Sequence, residues 1–325
     1  MEKFFSCDWG TSAFRLRLVE IPSLKIIVEN SSKQGIAETH KRWIQSGQPE
    51  DNRLFFYVDI IQEQVKEFEK KLDISLSNIP IIISGMASST IGMIDLPYKK
   101  LPFAINGVDL KTETIQKNNR QTNDLIIISG VRTEDDIIRG EETKLVGHVS
   151  EISHNQFHTF IFPGTHPKHI TVKDEKVVAF KTYMTGEFFD ILSKKSVLAV
   201  SLEEGGDLNN SQNLESFEHG VKDGHTMNIL HSCFLVRTND VLRKKTKQEN
   251  YFYLSGLLIG AELVDLQKDA ISNITLIGNE TLNPYYIVAL RVLSLSPASI
   301  EDADEALIRG QFRIYSSLGK DTFII

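Results

Sequence analysis

Two stretches nearly half the chain apart follow one plan, and together they restrict the fold more than any other feature. The first is Phe4-Phe5-Ser6-Cys7-Asp8-Trp9-Gly10-Thr11-Ser12-Ala13-Phe14-Arg15-Leu16-Arg17-Leu18. An apolar run ends on a carboxylate, a tight Gly-Thr-Ser turn follows, and apolar and polar residues then alternate. That is the pattern of strand, turn and strand, with Arg15 and Arg17 on the polar face. The second is His158-Thr159-Phe160-Ile161-Phe162-Pro163-Gly164-Thr165-His166-Pro167-Lys168-His169-Ile170-Thr171-Val172, where an apolar run meets Gly-Thr and another strand follows. In each copy a third strand comes after a short turn, over 24–28 and 176–183. Internal similarity at this period predicts two related, opposed domains. The 325 residues also exceed the size at which a single core usually divides. We expect domains over 1–150 and 151–325, the last helix being a candidate to cross back.

The rest of the pattern fits an α/β chain. Apolar residues recur at helical spacing over 52–72, whereas the segment carrying Gly35 and Trp43 reads as a loop. Ile81-Ile82-Ile83 and Leu125-Ile126-Ile127-Ile128 are continuous apolar runs, which suit buried parallel strands. Asp136 is expected to cap a helix bearing Ile137, Ile138, Leu145 and Val146. In the second half, helices are predicted from Thr185, over 214–247, over 251–266 and over 284–293, with a strand over 273–277 and a final helix over 302–312. Each half becomes a mixed sheet flanked by helices.

Charge and cysteine usage remove several function classes. A net charge of −7 argues against a nucleic-acid platform, which is normally basic. Cys7 and Cys233 are the two cysteines, so neither a disulfide framework nor a Cys-x-x-Cys zinc or redox site is available. No apolar run is long enough to span a bilayer, and the first residues lack the pattern of a signal peptide. A cytoplasmic protein is expected.

The chemistry is concentrated in a few places. Gly10 permits a tight turn, and backbone N–H groups with the Thr11 and Ser12 hydroxyls can donate to phosphate oxygens. Asp8 can hold Mg²⁺ through its waters. Gly164, Thr165, His166 and Lys168 offer a second phosphate cradle. Gly85, Met86, Ser88 and Ser89 leave the carboxyl end of a strand, where ligands gather in open α/β sheets, and small polar residues suit a polyol. Among the acids of 135–142, Asp136 is the first choice to accept the proton of an attacking hydroxyl, Glu141 the second, and Glu142 completes the set. Arg139 either pairs with these carboxylates or binds an anionic substrate. Gly256 and Gly278 are candidates to border an adenosine, or to serve packing and a loop. The Walker, dinucleotide and protein-kinase motifs are absent from the sequence.

Paired Gly-Thr hairpins are also how the actin, hexokinase and Hsp70 superfamily holds ATP. With Ser84-Gly85-Met86, Arg139-Gly140-Glu141-Glu142-Thr143, Pro163-Gly164-Thr165-His166, Met184-Thr185-Gly186-Glu187 and Tyr253-Leu254-Ser255-Gly256-Leu257-Leu258-Ile259-Gly260-Ala261-Glu262 in order, the chain resembles the 2-dehydro-3-deoxygalactonokinase family. Pro167-Lys168-His169 stands where that family is expected to carry Ser-Lys-Trp. The resemblance implies two ribonuclease H-like, actin-like domains with an interdomain cleft, ATP and Mg²⁺ as cofactors, and phosphorylation of the 6-hydroxyl of 2-dehydro-3-deoxy-galactonate. Arg139, Arg132, Lys99 and Lys100 are then candidate partners of the substrate carboxylate. A kinase of another sugar acid or aldose, a non-catalytic regulator, and a homodimer remain open alternatives.

Overall fold

The structure, a computed structural model, describes residues 2–149, 152, 156–268 and 273–319. The chain divides into two compact units, one of Met1–Val149, Glu175–Ala179 and Asp304–Ile325, the other of Ser150–Asp174 and Phe180–Ala303.

The first unit opens with β1 (Lys3–Trp9), β2 (Phe14–Glu20) and β3 (Ile26–Ser32), followed by α1 (Ile36–Ser46) and α2 (Arg53–Leu72). Then come β4 (Ile81–Gly85), β5 (Lys99–Lys100), β6 (Phe103–Ala104), β7 (Thr112–Ile115), β8 (Leu125–Ile128), β9 (Val131–Arg132), β10 (Ile137–Ile138) and α3 (Glu141–Val146). The main sheet has the order β3-β2-β1-β4-β8-β7. Neighbours are antiparallel from β1 to β3, and β1, β4 and β8 run parallel. The parallel centre is built from the continuous apolar runs: Ile81 to Ile83 and Leu125 to Ile128 are all buried. On one face α2 sets Tyr57, Val58, Ile61, Val65 and Phe68 into a core with Phe5, Cys7, Leu16 and Ile83.

The second unit repeats that plan. It contains β11 (His158–Phe162), β12 (Lys168–Lys173), the end of β13 (Lys176–Thr182), α4 (Thr185–Lys195), α5 (Ser211–Thr226), α6 (Ile229–Val241), α7 (Lys247–Glu262), α8 (Val264–Lys268), β14 (Asn273–Gly278), α9 (Asn283–Val292) and β15 (Ser299–Asp302). Its strands lie in the order β13-β12-β11-β14-β15, the order of β3-β2-β1-β4-β8. As in the first unit, the first two strands are antiparallel and the last two run parallel to the first. The fold is therefore the expected α/β architecture, with two ribonuclease H-like sheets each flanked by helices. Helix α10 (Ala303–Leu318) lies almost wholly in the first unit. There it covers the second face of the sheet: Phe312 stacks on Phe4 at 6.1 Å, and Gln311 Nε2 donates to Cys7 O and Ser84 Oγ, both at 3.0 Å.

Four expectations are corrected. Residues 36–46 are a helix, not a loop; Ile36, Thr39 and Trp43 are its buried face. Asp136 does not cap a helix, because Ile137 and Ile138 pair back with Arg132 and Val131 as a hairpin and α3 starts five residues later. Arg17 is 1% exposed, since α10 brings Asp304 onto that face, where its carboxylate lies 2.7 Å from Arg17 Nη2. The helical run over 214–247 breaks at Met227, and Asn228 caps α6 by accepting from Leu230 N at 3.0 Å.

Candidate active site

The first hairpin is seated on the helix that the sequence hid. Gly10 N donates to Ala13 O at 2.9 Å and closes the turn. The first N–H groups of α1 then use the turn's outer carbonyls: Ile36 N donates to Gly10 O at 2.9 Å and Ala37 N to Thr11 O at 3.1 Å. Gly35 lies so close beneath Thr11 and Ser12 that any Cβ there would overlap their backbone. The carbonyls are thus engaged by the helix, while Thr11 and Ser12 are exposed at the tip.

The second hairpin is seated the same way. Gly186, in the first turn of α4, presses on Gly164 O and Thr165, and Glu187 N donates to Thr165 O at 3.1 Å. His166 Nε2 and Glu187 Oε2 are 2.6 Å apart, and Lys168 Nζ donates to His166 O at 2.7 Å. Gly278, at the end of β14, lies between Pro163 and Asn283 and borders this turn. A cavity of about 200 Å³ opens beside Gly164, between Thr185, Ser255, Leu258, Leu282 and Tyr285. Its apolar walls and hydroxyl groups suit a nucleoside. Gly256 does not face it: that glycine packs against Phe217 and Val221 of α5, so its small size serves the α5–α7 crossing. Ser255, Leu258 and Ile259 of the same helix line the cavity instead.

In the first unit, residues far apart in sequence meet at the carboxyl ends of the parallel strands. Asp8 and Ser84, then Trp9 and Gly85, are register partners. An Asp8 carboxylate oxygen lies 3.5 Å from where a Gly85 Cβ would stand, and a Gly140 Cβ would stand 3.6 Å from Gly85 Cα. Gly85 and Gly140 have φ of +92° and +102°, which a side chain would strain. The turn at Gly140 launches α3. Gly140 N donates to both carboxylate oxygens of Glu142, at 2.9 and 2.8 Å, and Thr143 Oγ1 donates to one at 3.0 Å. Burial, and then the adjacent Glu141 charge, push the Glu142 carboxyl up to about 7. Glu142 is 1% exposed, whereas Glu141 is partly exposed at the first position of the helix.

The remaining candidates divide. Arg139 Nη1 donates to Ser88 O and to Ser88 Oγ (2.6 Å for the latter), Nε donates to Tyr98 OH at 2.9 Å, and the guanidinium lies 4.1 Å from the Tyr98 ring centroid. It clamps the loop after β4 to the Gly140 turn. Ser88 and Ser89 are buried and their hydroxyls donate to Gly85 O and Met86 O, so they shape that loop and are not open polyol contacts. Asp136 sits in the β9–β10 turn, where its carboxylate accepts from Ile137 N at 2.7 Å. Lys99 and Lys100 pair with Asp109 and Glu134. Gly35 and Gly186, which seat the two turns, are not among the site residues the sequence points to, although each is a glycine at the start of a helix that follows three strands.

Among the described residues no helix is long and apolar enough to cross a membrane. The family model of 2-keto-3-deoxy-galactonokinase matches residues 8–314. A Rhizobium meliloti (strain 1021) protein described as a "probable 2-dehydro-3-deoxygalactonokinase" is 26% identical over 315 residues, 94% of each chain. The Escherichia coli (strain K12) 2-dehydro-3-deoxygalactonokinase is 27% identical over 229 residues, 68% of this chain and 73% of its own. A crystal structure from Sinorhizobium meliloti, provisionally described as the same kinase, superposes with a TM-score of 0.79 at 24% identity, over 99% of this chain and 98% of that one.

Proposed function

The chain belongs to the 2-keto-3-deoxy-galactonokinase family and is a sugar-acid kinase, and from that premise we propose that it transfers the γ-phosphoryl group of ATP to the 6-hydroxyl of 2-dehydro-3-deoxy-D-galactonate. The contact of Asp8, Gly85 and Gly140 is the observation that carries this proposal. It sets a carboxylate at a strand's end beside Gly85, whose backbone in turn meets the Gly140 turn from which α3 starts. The names of the two relatives support the choice of acceptor.

On this reading each part of the site has a role. The exposed tip at Thr11 and Ser12 and the turn at Gly164 to His166 bind phosphate oxygens, with Lys168 beside the second. The cavity bordered by Ser255, Leu258 and Tyr285 takes the nucleoside. Among the described residues no three His, Cys, Asp or Glu side chains converge on a ready-made metal cage. Mg²⁺ needs none, because it is commonly held by one or two carboxylates together with substrate phosphates and water. Asp8, half-buried on a strand end next to Gly85, fits that part, and the ion would supply charge neutralisation at the phosphates. Glu141 replaces Asp136 as the base that accepts the hydroxyl proton, since it is the carboxylate that α3 presents at the Gly140 turn. Glu142 holds that turn. The cytoplasm, where MgATP is abundant, is the proposed location.

The test is ADP release by the purified protein with MgATP and a panel of acceptors. Turnover of 2-dehydro-3-deoxy-D-galactonate is expected. Turnover confined to neutral aldoses would refute the substrate, and tight ATP binding with no phosphorylated acceptor would favour a regulator.

A further inference from the structure

We propose that the carboxylate of Glu262 is a positioning residue for the nucleotide, locking three separate elements of the second unit around the cavity beside Gly164. The inference rests on assigning that cavity to the nucleoside of ATP. Glu262 is the last residue of α7, and its side chain is 1% exposed. Both facts count against a carboxylate: burial removes its hydration, and the end of a helix already carries partial negative charge. An apolar side chain would satisfy simple packing there. Three donors offset the cost. His169 Nε2 lies 2.9 Å from Oε1, while Thr185 Oγ1 and Tyr286 OH donate to Oε2 at 2.5 and 2.8 Å.

Each donor belongs to a different part of the site. His169 is on β12, the strand that leaves the second hairpin. Thr185 is the first residue of α4 and the neighbour of Gly186, on which the Gly164–Thr165 turn is seated. Tyr286 is on α9, and both it and Thr185 line the cavity. Burial, and then the Glu262 charge, push the Tyr286 phenol well above its ordinary value, so it stays a donor. One acceptor group therefore sets the strand, the supporting helix and the cavity wall together. Glutamine keeps the volume of the site, but its amide nitrogen would face a donor in place of an acceptor oxygen.

The experiment compares wild type, Glu262→Gln, Thr185→Val and Tyr286→Phe, each shown to be folded by its melting curve. Direct ATP titration gives Kd, and initial rates give KM for ATP and for the acid. Glu262→Gln should raise Kd and KM for ATP at least ~10-fold, as expected when a buried, charge-assisted hydrogen bond is lost, and leave KM for the acid unchanged. A purely structural defect would lower the active fraction, and with it apparent kcat, without this split. If Glu262→Gln does not fold, Thr185→Val and Tyr286→Phe should each still raise the ATP Kd severalfold. Wild-type ATP affinity in folded Glu262→Gln, or in both of the other variants, would overturn the inference and leave the kinase assignment standing. Failure of the wild type itself to bind ATP would instead overturn the proposed function.

Discussion

Glu142 shows most plainly how one residue's surroundings set its chemistry. Its ordinary value is 4.5 and burial beside Glu141 takes it to about 7. The native state thus favours the protonated form. The stability this confers is present in full below about pH 4.5 and is lost as pH rises through about 7, a change on the order of 3 kcal/mol. Glu142→Gln still accepts from Gly140 N but cannot ionise. Calorimetry from pH 5 to pH 8 should show the wild-type Tm falling more steeply than that of the variant, and parallel curves would contradict the assignment. Glu141 and Asp136 separate by kinetics. Glu141→Gln should lower kcat by roughly 10²-fold or more, whereas Asp136→Asn should stay within about twofold of wild type. The reverse result would restore Asp136 as the base. The acids of this span were legible from the sequence alone. Which of them stands at a helix start was not, because Ile137 and Ile138 suit a strand pair as well as a helix face, and the break at Gly140 depends on its contact with Gly85.

At the scale of elements, α3 is a six-residue helix, too short to persist unaided. Helix α10 holds it. Gly147 and Gly310 let the two backbones meet, each lying against the other segment's carbonyls, at Ala306 and Thr143. Arg309 Nε donates to Gly147 O at 2.8 Å, and Arg313 Nη1 to Val146 O and His148 O at 2.6 and 2.7 Å, so the open carbonyls at the end of α3 are satisfied. A Cβ at Gly310 would drive into Thr143 O. Gly310→Ala should therefore cost about 1–3 kcal/mol in urea unfolding and lower kcat more than it changes KM for ATP. Unchanged stability and rate would show that α10 does not set α3. The final helix was expected over 302–312 but its partner was not, since a helix crossing between Gly147 and Gly310 leaves no mark within either segment. Helix α1 shows the opposite failure. Ile36, Thr39 and Trp43 recur at helical spacing, yet Gly35 and the polar residues between them read as a loop until the hairpin is placed on top.

For the molecule as a whole, the repeated Gly-Thr hairpin was the informative signal, and the matching strand orders of the two sheets are its structural counterpart. The repeat was readable because each copy lies within about fifteen consecutive residues. The glycine that seats each turn was not, because it arrives from the start of a helix 22 to 25 residues beyond the turn's own glycine. The central claim is that both hairpins bind the phosphates of ATP, each held in shape by its seating glycine. Titration of ATP into folded Gly35→Ala and Gly186→Ala tests it most directly. Each variant should weaken binding by about 10-fold or more, equivalent to about 1.4 kcal/mol; wild-type affinity in either one would contradict the claim.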